Sequence, residues 1–318
     1  MFKSMRLLSL LFCVFVPQAL AQSPPVATID EISWSAGQSR QSTAWSFAES
    51  TEETGNFSVA LWVRLSGNGE QYSSLAANKA WDDSEVVDLL STSNMGLTLA
   101  NGTSRGWVLA MQPNGSWLWN IGNGQQRLDY LPTAQRQPIL DDRWHLLSFC
   151  IDQVRKEARL FYDGRNVAIY AIDGFKESQS DQIPIVGGDR LKDNSTNDVT
   201  GRIANARYWK RKLSDNEMLA MYRERYPNAD RVPLPENLEK LKVLSWNIWH
   251  GARHPGIKKG IQQAVDFIRH TDADVITMQE TYGSGPTIAD RLGYYFYLRS
   301  SNLSILSQDD ATSITTIP

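Results

Sequence analysis

From about Asp30 to Asp173 the chain is broken every few residues by Gly, Asn, Asp or Ser, and short β-rich runs lie between the breaks. Phe57, Val59, Leu61, Val63 and Leu65 alternate along one run and place five apolar side chains on one face of a strand. Trp107–Met111 and Ser116–Ile121 flank the turn dipeptide Asn114-Gly115, and Arg159–Tyr162 and Val167–Tyr170 flank Asp163-Gly164. Asn-Gly and Asp-Gly favour the two-residue turns that close β-hairpins. Many short strands with closely spaced turn signals favour a sandwich or jelly roll over βαβ units. Up to residue 226 only Leu213–Arg225 has helical spacing, with Ser214 or Asp215 at its start.

Composition sets the outer bounds. With 42% hydrophobic and 21% charged residues in 318, the chain is globular and long enough for about two domains. A formal net charge of -3 lacks the global positive field of a protein that coats nucleic acid or anionic membrane.

The first residues read as an export signal. Lys3 and Arg6 precede the apolar run Leu7–Val16, and Ala19-Leu20-Ala21 ends it in a small-x-small pattern. The run is shorter than the roughly 20 residues a membrane span requires. Cleavage near Ala21 is expected, with the mature chain secreted or periplasmic. Cys13 leaves with the signal, so Cys150 remains alone and no internal disulfide forms. Cys150 lies in the apolar run Trp144–Ile151 and reads as a small buried hydrophobe. Asn56, Asn101, Asn114, Asn194 and Asn302 head glycosylation tripeptides, a pattern short enough to carry no weight.

Several stretches carry a family resemblance. Asp142-Arg143-Trp144-His145-Leu146 followed by Ala158–Gly164 resembles the paired strands of a laminin-G, concanavalin-A-like jelly roll. Gly201–Trp209 and then Lys212–Glu217 resemble that domain's last strand and short terminal helix, and Asn78-Lys79-Ala80-Trp81 resembles a strand-end motif in it. The resemblance covers about residues 28–226. It implies a two-sheet sandwich, and that fold serves lectins, hydrolases and adhesion modules alike. Nine of the 11 tryptophans lie between Trp34 and Trp209, and most are expected to fill the core. Trp81 is the candidate for an exposed ring that stacks on a sugar. Asp82, Asp83 and Asp88 are candidate oxygen ligands for Ca²⁺, against the plainer reading of solvated loop acids. His145 reads as structural. No glycosidase-like pair of carboxylates stands out, so the domain is expected to bind a glycan or cell surface.

Residues 227–240 form a linker, with three prolines between Tyr226 and Glu236. Beyond it, Leu241–His250 starts as an apolar strand and turns polar. Ile257–Arg269 has helical spacing, and Asp272–Glu280 is a second strand with a polar end. Strand, helix and strand make a βαβ-like unit, whose ligands gather at the strands' carboxyl ends. Asn247 and Glu280 fall at those ends.

Val243-Leu244-Ser245-Trp246-Asn247-Ile248, Ala273–Glu280 and Asn302–Ser307 resemble the endonuclease/exonuclease/phosphatase family. The resemblance implies Mg²⁺ held by Glu280 and supported by Asn247, with a phosphate ester as substrate. An N-capping Asn and a surface Glu are the plain alternatives. The family's Asp-x-Asn and Ser-Asp-His motifs are absent, and His250, His254 and His270 do not stand in for them. Residues 241–318 have room for one of the family's two sheets, which leaves one sheet face without a cover. Seven basic and seven acidic residues in this segment give no excess positive charge to favour nucleic acid.

The expected architecture is therefore an all-β jelly roll, residues 28–226, followed by a partial α/β domain of phosphoesterase type, residues 241–318. The expected function is an exported Mg²⁺-dependent phosphoesterase with a glycan- or surface-binding module, truncated here and inactive alone. The alternative is a secreted glycan-binding protein with a vestigial enzyme segment.

Overall fold

The computed structural model describes residues 23–38, 40–47, 55–69, 72–79, 104–172, 182–187, 198–229, 241–252, 254, 256–300 and 303–308. Positions 1–21, the candidates Trp81, Asp82, Asp83 and Asp88, linker positions 230–240, and Asn101, Asn194 and Asn302 lie outside them.

The N-terminal strands are β1 (Ala27–Trp34), β2 (Thr43–Ala44), β3 (Phe57–Gly67), β4 (Ser73–Ala77), β5 (Gly106–Met111) and β6 (Trp117–Gly122). They continue as β7 (Arg127–Tyr130), β8 (His145–Asp152), β9 (Glu157–Tyr162), β10 (Arg165–Ala171), β11 (Ile185–Val186) and β12 (Val199–Trp209). Helix α1 (Asp215–Arg223) follows. The C-terminal segment holds β13 (Val243–Asn247), the short turn α2 (Trp249–Ala252), α3 (Ile257–Thr271), β14 (Val275–Gln279), α4 (Gly285–Leu292), β15 (Tyr295–Ser300) and β16 (Leu303–Ser307).

Among the described residues, one sheet runs β1-β12-β3-β8-β9-β10-β15-β16-β14-β13 and the other β2-β11-β4-β5-β6-β7. The second sheet packs on the β1-to-β10 part of the first, which gives the expected two-sheet sandwich. Val59, Leu61, Val63 and Leu65 of β3 meet Trp107, Leu109, Trp117 and Trp119 of β5 and β6 in one core. Trp34, Trp45, Trp107, Trp117 and Trp119 are buried in this core, in agreement with the role expected of most tryptophans. With Cys150 free and no disulfide among the described residues, this apolar area is the main stabilising term.

Turn chemistry fixes both expected hairpins. β5 and β6 pair from Met111↔Trp117 to Gly106↔Gly122, and the Asn114 side chain accepts from the Ser116 N–H at 2.9 Å. At the β9–β10 turn, Asp163 (φ 52) and Gly164 (φ 75) both take the left-handed conformation that a primed turn requires. A Cβ on Gly164 would lie 2.7 Å from Tyr222 Cβ, so the bare glycine also lets α1 approach. Ser214 caps α1 in a reciprocal box with Glu217. Met218 and Met221 of this helix cover Trp62, Leu146, Cys150 and Phe161 on the outer face of the first sheet.

β13 and β14 are parallel, joined through α3, whose Ile261, Ala264, Val265 and Ile268 are buried against the sheet. That is the expected strand–helix–strand unit. The opposite face stays partly open: Val243 is 59% and Leu303 43% exposed. Although the sequence separates the two parts at 227–240, they share a sheet. β10 pairs in parallel with β15, Ala168↔Phe296 to Tyr170↔Leu298, and the Phe296 ring meets Tyr170 edge-on at 5.7 Å.

Candidate functional site

The parallel register sets Asn247 opposite Gln279, so Asn247 and Glu280 emerge side by side at the carboxyl ends of two neighbouring strands. The Asn247 Nδ2 donates to Glu280 Oε1 at 2.9 Å. The Trp249 N–H donates to Asn247 Oδ1 at 2.9 Å, and the His250 N–H to Glu280 Oε2 at 3.1 Å. The structure thus brings together the two residues that sequence reasoning picked. The hydrogen bond from Asn247, then that from the His250 backbone, hold the Glu280 carboxyl below its ordinary range, so it is ionised at neutral pH.

The backbone around this pair is strained. Trp249, His250, Gly251 and Ala252 carry φ of 49, 47, 67 and 59, and Glu280 and Tyr282 also lie at positive φ. Consecutive left-handed L-residues cost roughly 1–2 kcal/mol each. Contacts from the neighbouring strand end offset that: besides the His250 contact, the Gly251 N–H donates to the Glu280 carbonyl at 2.6 Å. The turn holds the Trp249 indole out, 56% exposed and stacked on His254 at 4.8 Å. His250 stacks on Tyr282, and His270 points to solvent from α3.

A carboxylate oxygen has more than one lone pair, so Glu280 retains acceptor capacity beyond these bonds. The Glu280 carboxylate is the kind of oxygen ligand Mg²⁺ takes, whereas Asn247 turns its amide nitrogen toward that carboxylate and its oxygen toward the Trp249 N–H. Among the described residues no three His, Cys, Asp or Glu side chains group as a metal site.

The jelly roll holds polar clusters of its own. Asn120 of β6 pairs with Asp129 of β7, Nδ2 to Oδ1 at 2.7 Å, on the face of the six-stranded sheet that points away from the core. Burial raises the Asp129 pKa against the pull of Arg127, Asn120 and Lys79. Burial likewise lowers Lys79 to about 7, with Asp129 opposing. Asp129 is the one carboxylate among the described strands of this sheet. His145 sits between Asp163, on Nδ1, and Asp141, on Nε2, both at 3.0 Å. Tyr162 Oη lies 2.8 Å from His145 Nδ1, and the Asp163 Oδ1 accepts from the Leu146 N–H. This clamp ties the β9–β10 turn to the start of β8 and bears out the structural reading of His145. The sequence reading missed its two acids, although Asp141 at i−4 and the Asp-Gly turn were visible. Cys150 is fully buried, which pushes its thiol up to about 12 and leaves it unreactive.

Residues 38–218, more than half of the chain, match the family model described as the concanavalin A-like lectin/glucanases superfamily. The chain belongs to that superfamily. Among individual proteins, it is similar to the non-toxic nonhemagglutinin type C of Clostridium botulinum C phage, 25% identical over 38% of this chain and 8% of that one. The chain therefore spans a small fraction of that relative's length. Among solved structures it is similar to the receptor-binding domain of botulinum neurotoxin C/D mosaic serotype, at 13% identity and TM-score 0.41, over 62% of this chain and 43% of that one. It is also similar to the CBM40 of the Ruminococcus gnavus IT-sialidase, at 15% identity and TM-score 0.41, over 62% of this chain and 99% of that one.

Proposed function

We propose that this superfamily member is an exported carbohydrate-binding protein whose working part is the jelly roll. The observation that carries the reading is a two-sheet lectin/glucanase sandwich with Asp129 as the one carboxylate on the described strands of its six-stranded sheet. Glycoside hydrolysis ordinarily needs two carboxyl groups flanking the scissile bond. A single acid, held by the Asn120 amide on Oδ1 and by Arg127 on Oδ2 at 3.1 Å, gives that sheet a polar patch rather than such a pair. The basic and apolar N-terminal residues support export, where surface glycans are met. Glycan-array binding of the full chain tests this. Binding to a defined set of sugars without their hydrolysis is the expected result, and no binding across the array overturns it.

A second reading has its own observation, the Asn247–Glu280 contact at the ends of two parallel strands. Under it, residues 241–318 belong to a Mg²⁺-dependent phosphoesterase of the endonuclease/exonuclease/phosphatase type. Glu280 would hold the ion through its ionised carboxylate, and Asn247 would fix the orientation of that carboxylate. The bound ion would supply charge to a phosphoryl oxygen. His250 positions Glu280 through its backbone N–H, and its ring stacks on Tyr282. Without a general base among these residues, hydrolysis of bis(p-nitrophenyl) phosphate by the chain alone is expected to be negligible. Mg²⁺-dependent turnover abolished by Glu280→Ala would displace binding as the main function.

A further inference from the structure

The two parts of the chain enclose a cleft of about 520 Å³. Arg136, Arg165 and Tyr222 line it from the jelly roll, and Asp290, Tyr295 and Gln308 from the C-terminal segment. We infer that this cleft is a saccharide subsite, in which a hydroxyl of one neutral sugar residue bridges Asp290 and Arg136. The inference rests on the carbohydrate-binding reading and gives it a location.

Asp290, on α4, is 4% exposed. Its Oδ2 accepts from the Thr133 N–H at 2.8 Å, while its Oδ1 has no hydrogen-bond partner. Burial raises the pKa of this carboxyl, and Thr133 and then Arg136 pull it back. Arg136 is therefore close enough to be felt electrostatically, yet it does not bond Oδ1. Its exposed side chain lies across the end of α4, where a Cβ on Gly293 would come 2.5 Å from Arg136 Nη1. A buried acceptor without a donor calls for an explanation in a native fold. A hydroxyl meets the need on both sides, since it donates to Oδ1 and accepts from the guanidinium.

The rest of the wall narrows the class of ligand. Arg136 and Arg165 are balanced by Asp163 and Asp290, which favours a neutral guest over an anion or a cation. Tyr222, whose ring stacks on Trp62, and Tyr295 add aromatic surface to the same wall. A volume of this size lies within the roughly 300–1,000 Å³ of small-ligand sites.

The full chain, titrated with D-glucose, D-galactose, D-mannose and N-acetyl-D-glucosamine by saturation-transfer NMR and calorimetry, gives the test. At least one of the four binds saturably. Asp290→Asn and Arg136→Ala each weaken that binding about ten-fold or more, while Arg155→Ala on a remote turn leaves it unchanged. Arg136 is a surface residue, so its truncation keeps the fold even where Asp290→Asn does not, and circular dichroism separates the two cases. Binding that both folded variants retain puts the subsite elsewhere and overturns the inference, with the carbohydrate-binding reading intact. Failure of all four sugars overturns it as well. The glycan array then decides separately whether the broader reading stands.

Discussion

At the scale of single residues, His145 shows how local charge decides stability. Burial alone would lower its pKa, but hydrogen bonds and attraction from Asp163 and Asp141 outweigh that, and the net shift is upward. A folded-state pKa above the unfolded value of about 6.5 stabilises fully below that value. The contribution then fades as pH rises through the folded pKa. His145→Gln removes the cation from between two acids and is expected to cost about 3 kcal/mol at pH 6. Thermal melts from pH 5.5 to 9 should show the gap between wild type and variant narrowing with pH. A gap that widens on the alkaline side would mean that His145 is neutral in the fold. Glu280 titrates with the opposite sense. Its lowered pKa means that the carboxylate contacts to Asn247 and to His250 are kept at neutral pH and lost on acidification.

Elements were legible wherever their specification is local. The Asn114-Gly115 and Asp163-Gly164 turns carry their own geometry, so two hairpins can be read from a few adjacent residues each. Helix α1 announces itself through Ser214 and, three residues on, Glu217, which caps it from both sides. Ser214→Ala breaks the box and is expected to cost about 1 kcal/mol. Because α1 covers Trp62 and Phe161, the loss should appear as faster amide exchange at Met218–Tyr222 before the core strands loosen. Unchanged exchange there, with a normal melting temperature, would show that packing alone holds the helix. Burial raises the Glu217 pKa, but Arg211 and Ser214 outweigh it and bring it down, so part of the cap's contribution is lost below about pH 4. The Asn247–Glu280 contact was also legible, since two apolar strands that end in polar residues point to a shared edge once they lie parallel. Asp290 was not. Its meaning comes from Thr133 and Arg136, both more than 150 positions away in the sequence, and no local pattern marks such a meeting.

At the scale of the whole molecule, the unexpected feature is the parallel pairing of β10 with β15. A proline-rich connection usually marks parts that fold independently, and the sequence separates the parts there. Nothing local to either strand selects the other, because the pairing depends on an edge that becomes available only when the jelly roll is complete. The pairing satisfies the backbone groups of β10, which would otherwise be an open edge ready for another chain. It also carries the hydrophobic core across the boundary, with Tyr170, Phe296 and Leu306 in one buried cluster. Cooperative unfolding follows from this continuity. The full chain should melt in one calorimetric transition, and Phe296→Ala, which empties a fully buried site, should lower the stability of that transition by about 3–5 kcal/mol. Two transitions, with the variant shifting only the smaller, would show that the shared sheet does not couple the parts. The same coupling bears on the cleft. If β10 and β15 part, Asp290 leaves Thr133 and Arg136, so Phe296→Ala should weaken sugar binding even though Phe296 does not line the cleft.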